Sequence, residues 1–423
     1  MKIKLTCVAA AVCCLGSAAF AADVGGVEVT GYSRGGGVYS YNKDQQIKGG
    51  LTLGGDLQKF RLGNEGDYGV EVNIAKTFDV EGVKYKLDYM PTKWNSGNVG
   101  TEQAFVEMSG LSFAPEAKVW AGQRRLRIQD VHIVDKFLMD YGVNEGAGVT
   151  DLSVGSVKVG ASLQTGDTFD NKMIAGTSAN RLNVDISEIN TNPGGKVRVM
   201  LASVSTSGLK SSGGSGFTLN HNQSNFLVPG LTNSLFLQTS SGYAALNGQF
   251  NAFNTTYTGA NFTGANAANN LVAGKKSSRI AESIAWQSGR FGGQAILGYQ
   301  TTKADDATFT TKDTSLGGRM SYAYSQNFKM LLEAGTTSRK FSDSQDAQRL
   351  NKVTIAPTIA MSPDFWSRPE LRFYVTRANW NAAAATANSA TTDATGTSNA
   401  NTGFGANGRT SQTLAGVQYE VWW

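Results

Sequence analysis

Cysteine is nearly absent. The chain of 423 residues holds three, Cys7, Cys13 and Cys14, all within its first 21 residues. Past that leader no thiol remains, which excludes disulfides and thiolate metal sites. Histidine is as scarce, with His132 and His221 alone. Acid–base or nucleophilic catalysis needs a nucleophile and a base in place, and this inventory argues against an enzyme. The spacing of Asp130 and Asp135 is no evidence of glycoside cleavage. No cofactor and no metal ligand set are expected. No apolar run beyond the leader approaches 18 residues, so a transmembrane helix is excluded. Charge of neither sign dominates. Without Lys2 and Lys4 the balance is 36 basic to 33 acidic residues, too near neutral to point to nucleic acid.

What is present begins with a leader. Lys2 and Lys4 precede an apolar run from Leu5 to about Leu15, and Ala19-Phe20-Ala21 supplies a small-x-small cleavage site. Residues 1–21 read as a secretory signal peptide, leaving 22–423 as one exported domain. There are 50 glycines, 14 tyrosines and 7 tryptophans but only 7 prolines, and short alternating runs recur, which points to an all-β chain. Val83, Tyr85, Leu87 and Tyr89 alternate with Lys84, Lys86 and Asp88. The same period returns over 157–164, 182–187, 197–201, 235–238, 295–300, 320–324, 353–359 and 371–375, where Pro357 demotes or kinks one run. Two polar tracts, Asn251–Ala273 and Asn381–Gly408, read as long surface loops. His221 reads as a loop residue.

The end of the chain is the sharpest structural signal. In TLAGVQYEVWW, Ala415, Val417, Tyr419, Val421 and Trp423 share one face and the chain stops on an aromatic. An amphipathic terminal strand of this kind fits a closed antiparallel transmembrane β-barrel. Such a barrel satisfies every backbone group in hydrocarbon and needs about 10 residues per strand. Length alone leaves 16 and 18 strands open. If the apolar parity faces lipid, Tyr32, Arg34, Glu71, Lys84, Lys86, Asp88, Arg372, Glu420 and Trp422 face the lumen. Aromatic rings beside both signs of charge suit a carbohydrate, whose apolar ring face is buried on the aromatics while its hydroxyls bond to charged groups. One stretch breaks the alternation. From Trp120 to Asp140, Arg124, Arg125, Arg127, Asp130, His132 and Asp135 are interleaved with Leu126, Ile128, Val131, Ile133, Phe137 and Leu138. It reads as a folded-in segment, packed on one side and charged on the other.

Four stretches, taken in order, resemble the maltoporins, the sugar-specific porins of bacterial outer membranes. They are GYSRGG (31–36), FRLGNE (60–65), WAG with DVHIVD and GAG (120–148), and WSRPELR with the terminal VWW (366–372 and 421–423). The resemblance implies an 18-stranded homotrimeric barrel in the outer membrane whose third extracellular loop folds into the lumen. It implies facilitated diffusion of maltodextrin-like or other di- and oligosaccharides along a line of aromatic residues. Tyr32, Trp366 and Trp422 fall on that line, and Trp94 and Phe236 lie near two further positions of it. Arg34, Arg61, Glu71, Asp130 and Asp135 fall on the polar track. The Trp120–Asp140 stretch then becomes the constriction, with Arg125, Arg127, His132 and Phe137. Gly69 stands in place of an aromatic, and Val106 and Ile128 in place of two arginines. A general diffusion porin without a saturable site is the alternative reading.

Overall fold

The computed structural model describes residues 22–40, 50–166, 178–207, 213–242, 244, 276–303, 310–342, 346–389 and 408–423. The leader, the tract 251–273 and residues 390–407 lie outside the described residues. A short strand, β1 (Ala22–Val24), forms a hairpin with β2 (Val27–Ser40). Then follow β3 (Gly69–Val80), β4 (Val83–Trp94), β5 (Gly100–Ser109), β6 (Lys118–Val131), β7 (Lys136–Val154), β8 (Val157–Gly166) and β9 (Ser178–Asn190). The second half comprises β10 (Gly195–Ser207), β11 (Gly213–Gln223), β12 (Leu231–Gly242), β13 (Lys276–Ser288), β14 (Phe291–Lys303) and β15 (Thr310–Ala323). It ends with β16 (Phe328–Phe341), β17 (Gln348–Ala360), β18 (Glu370–Trp380), a helix α1 (Ala382–Ser389) and β19 (Ser411–Trp422).

From β2 to β19 each strand pairs antiparallel with the next, and β19 returns to β2 through Trp422↔Tyr32 and Glu420↔Arg34. Trp423 completes the seam, exchanging backbone bonds of 3.0 and 3.1 Å with Gly31. The ring therefore has 18 strands, not 16. Pro357 does not demote its run. It stays paired with Met330 on β16, and only its pairing toward β18 is skipped. This is the expected cost of a missing N–H.

The alternation is turned inside out relative to a soluble protein. Along β18, Leu371, Phe373 and Val375 are 37–44% exposed, while Glu370, Arg372 and Thr376 are 2% or less. Apolar side chains on the outer wall and polar ones on the enclosed face are what hydrocarbon outside and water inside require.

Among the described residues, two segments reach into the interior. Pairing of β5 with β6 stops at Gln123, and pairing of β7 with β8 starts at Glu145. Residues 124–144 thus pair only with one another, down to Val131↔Lys136. The stretch expected to be a folded-in segment is a β-hairpin that leaves the wall. A register shift between Arg125 and Arg127 bends it, and a 3-10 turn (His132–Val134) closes it, with Asp135 at φ 57. Its tip packs against Met200, Ala202, Phe236, Ala281 and Ile296 of β10, β12, β13 and β14.

The second segment, residues 50–68, was not visible as an inserted element in the sequence. Phe60 lies 2% exposed against Gly317 and Gly335, where an added Cβ would fall 2.5 and 2.2 Å from its ring. Asn64 ties the segment to itself through Leu51 N, Leu51 O and Phe60 O at 2.7–3.0 Å. Wall side chains meet both backbone groups of Leu62. Glu333 accepts from Leu62 N (2.9 Å), and Lys352 donates to Leu62 O (2.6 Å). The tract 381–408 begins as helix rather than loop. Ala384 and Ala385 of α1 pack with Leu51, Leu53 and Trp380.

Candidate functional site

Strand register creates the first part of the site. Trp422, Tyr32 and Glu71 are partners across three neighbouring strands, β19, β2 and β3. His132 at the hairpin tip lies edge-on to both Trp422 (5.6 Å between ring centres) and Trp366 (5.7 Å). On the other side Tyr32 lies 6.2 Å from Trp94. The half-buried rings Trp366, Trp422, Tyr32 and Trp94 thus fall in one row, with the buried His132 between the first two and strand register joining Trp422 to Tyr32. Trp366 stands on the β17–β18 connection, not on a strand.

Trp94 explains the missing aromatic at Gly69. The two residues are register partners, and a Cβ on Gly69 would fall 2.3 Å from the Trp94 indole. The indole lies over the glycine, with the Arg34 guanidinium 5.0 Å from its centre. Phe236 is placed differently. It is 1% exposed in the cluster beneath the hairpin, with Ile133 and Leu138, and is no part of the row. Val106 is 39% exposed on the outer wall beside its partner Leu87, so the gapless correspondence with a lumenal arginine is shifted there. His221 is a strand residue of β11, its Nε2 3.1 Å from Thr191 Oγ1.

Behind the row lies a sealed ionic network. Arg61 reaches Glu65 (2.8 Å), Glu420 (3.0 Å) and the Tyr32 hydroxyl, to which it donates at 2.8 Å. Glu420 also accepts from Tyr32 (2.9 Å) and Arg368 (2.9 Å) and is bonded by Arg372. Glu370 holds Lys329 (2.6 Å), Arg368 (3.2 Å) and Arg372 (2.5 Å). Arg34 binds Glu65 (2.8 Å), Asp67 (2.6 Å) and Asp135 (3.3 Å). The side chains of Arg61, Glu65, Lys329, Arg368, Glu370, Arg372 and Glu420 are 3% exposed or less. Paired charges this deep hold geometry rather than meet solute. Arg368 additionally covers the Trp422 ring at 4.1 Å.

The hairpin tip is pinned into this network. Ile133 O accepts from Arg61 N (3.0 Å), and the His132 ring nitrogens lie 3.1 Å from Arg61 and 3.2 Å from Arg368. Asp130 lies 3.6 Å from His132. For Asp135, burial disfavours the charge, but the Arg61 and Arg34 guanidiniums outweigh it and hold the carboxyl well below the ordinary carboxylate range.

A third group faces more open space. Glu71 to Arg125 (3.0 Å), Arg125 to Glu102 (3.3 Å), Glu102 to Arg127 (3.5 Å) and Arg127 to Asp140 (3.2 Å) make a row of alternating sign. The first four side chains keep 15–25% exposure. Arg127 also sits 5.5 Å from the centre of the Phe137 ring. Arg125, Arg127 and Asp140 were legible as charges of the inserted stretch. Glu102 was not, because its inward placement depends on a pairing detail that the sequence pattern does not carry.

Among the described residues no cluster of His, Cys, Asp or Glu could hold a metal ion.

Comparisons with known proteins agree with this geometry. The protein-family description that matches is LamB porin, over residues 27–423. A maltoporin of Hahella chejuensis is 27% identical, with 96% of this chain and 94% of that protein covered. Among solved structures, OpdQ of Pseudomonas aeruginosa shares the fold at a TM-score of 0.51 and 6% identity, covering 95% of this chain and 99% of its own. An anion-selective porin of Comamonas acidovorans follows at 0.46 and 11% identity, covering 93% of this chain and 99% of its own. With an 18-strand closed barrel and a family match over nearly its whole length, the chain belongs to the LamB porin family and is an outer-membrane transport channel, not an enzyme.

Proposed function

We propose that the channel carries sugars by facilitated diffusion, as a homotrimer in the bacterial outer membrane. The observation that carries this reading is the row Trp366, His132, Trp422, Tyr32 and Trp94, with charged side chains along its flank. A pyranose can lay its apolar face on successive rings while its hydroxyls exchange bonds with Arg125, Glu102 or Glu71. Each contact is weak, and neighbouring ones are close, so a sugar enters without being trapped and moves down its gradient. Maltose- or maltodextrin-like oligosaccharides are the substrates the related maltoporin suggests.

Ion current through purified channels in a planar bilayer tests the reading. The current is titrated with maltose, maltotriose, sucrose and a β-linked disaccharide. A saturable block by at least one is expected. Trp422→Ala should raise its half-blocking concentration roughly fivefold, the loss of about 1 kcal/mol for one stacking face. Current unaffected by all four sugars would make the channel a general diffusion porin.

A further inference from the structure

The row of alternating charge contains one residue that is out of phase with its strand. Along β5, Ala104 is exposed and Val106 is 39% exposed on the outer wall, paired with Tyr89 and Leu87. Unbroken alternation would send Glu102 outward too, carrying a carboxylate to the lipid face. It does not go there. The register with β4 slips by one residue, from Met90↔Gln103 to Pro91↔Thr101, and the extra residue on β5 is Glu102. The slip falls beside Pro91, which has no N–H to continue the ladder. A bulge of this kind re-aims a side chain. Here it brings the Glu102 carboxylate to 3.3 Å from Arg125 and 3.5 Å from Arg127. Gln103, next to it, fixes the hairpin as well, its Oε1 accepting from Arg125 N at 3.1 Å.

We propose that Glu102, turned inward by this bulge, is the residue that sets the charge balance and solute selectivity of the constriction. It is the shared partner of the two hairpin arginines. With Glu71 and Asp140, the row holds three carboxylates against two guanidiniums, a net charge of −1. Without Glu102 the row becomes neutral, and both guanidiniums keep one carboxylate each, at the two ends of the row. Glu102 is also the most exposed of the row at 25%, so it is the acceptor best placed for a passing hydroxyl. That second role rests on the sugar-channel reading, whereas the charge balance does not.

The test uses the full-length channel, with Glu102→Gln and Glu102→Asp. The first readout is the cation-over-anion permeability ratio, from the reversal potential in a salt gradient. Removing one charge from a narrow, partly desolvated site should lower this ratio at least about twofold at 0.1 M salt, with the shift fading at 1 M. Glu102→Asp should stay near the parent ratio. The second readout is sugar block, whose half-blocking concentration should rise about fivefold in Glu102→Gln.

An unchanged permeability ratio in Glu102→Gln, in channels of normal assembly and conductance, overturns the proposal. A shifted ratio with unchanged sugar block overturns the hydroxyl contact and leaves the charge balance supported. If the parent channel is blocked by no sugar, the ion ratio alone decides the proposal, so its failure is separable from that of the sugar reading.

Discussion

Neutralising Glu420 should loosen the whole wall of the site. Its carboxylate is 1% exposed and is shared by Arg61 at 3.0 Å, Arg368 at 2.9 Å and Arg372, with the Tyr32 hydroxyl donating at 2.9 Å. Glu420→Gln keeps the volume and removes the charge. Arg61 keeps Glu65, and Arg368 and Arg372 keep Glu370, but three guanidiniums then share too few carboxylates in a space closed to water. Removing one partner of a buried pair costs about 3–5 kcal/mol, since the charge left behind cannot recover its hydration. The natural control is Asp151→Asn. That residue pairs with Lys118 at 3.0 Å with both side chains 46% exposed, and such surface pairs contribute below about 1 kcal/mol. The assay is guanidinium unfolding of the refolded barrel in detergent micelles, read by tryptophan fluorescence. A lower midpoint at unchanged slope is expected for Glu420→Gln and almost none for Asp151→Asn. Equal small shifts in the two variants would refute the argument that this network, rather than the strand ladder alone, holds the lumenal wall.

Two further outcomes follow from the geometry. The folded-state pKa of Asp135 is depressed, so the stability it lends to the hairpin tip is fully present above its unfolded value of about 4 and is lost as pH falls below that. Hairpin protection from hydrogen exchange should be flat between about pH 5 and 8 on account of this residue and should decline below about pH 4, and the decline should be shallower in Asp135→Asn. Gly335→Ala should destabilise the barrel by about 1–3 kcal/mol, because the new methyl would fall 2.2 Å from a Phe60 ring that is itself buried. Thermal unfolding checks this, and adding Phe60→Leu should recover part of the loss.

The period-2 runs identified an all-β chain, and the amphipathic terminal strand ending on Trp423 pointed to a membrane barrel, because hydrocarbon outside and water inside impose opposite polarity on alternate residues. The same parity assigned Tyr32, Arg34, Glu71, Arg372, Glu420 and Trp422 to one face, and the structure places them together. Composition likewise left no room for disulfides or thiolate metal ligands. The charged and apolar stretch at 120–140 was legible as something inserted, since neither lipid nor bulk water suits that mixture. Its form was not legible: a hairpin and an irregular loop share the same composition, and only the ends of pairing at Gln123 and Glu145 distinguish them.

Other features were decided by tertiary structure alone. Phe236 is an aromatic at an inward position in either reading, yet it became packing because the hairpin tip lies on it. Trp94 joined the aromatic row because Gly69, on the next strand, leaves room for its ring. Segment 50–68 lacks any periodic signal, and its inward course depends on Glu333, Lys352 and Asn64 meeting its backbone groups. Glu102 faces the lumen against its own parity because a one-residue slip beside Pro91 turned it. Alternation is a local property of the chain and can be read from it. Which strands face one another, and where the ladder slips, depends on closing an 18-strand ring around two inserted segments, and no single stretch of sequence carries that constraint.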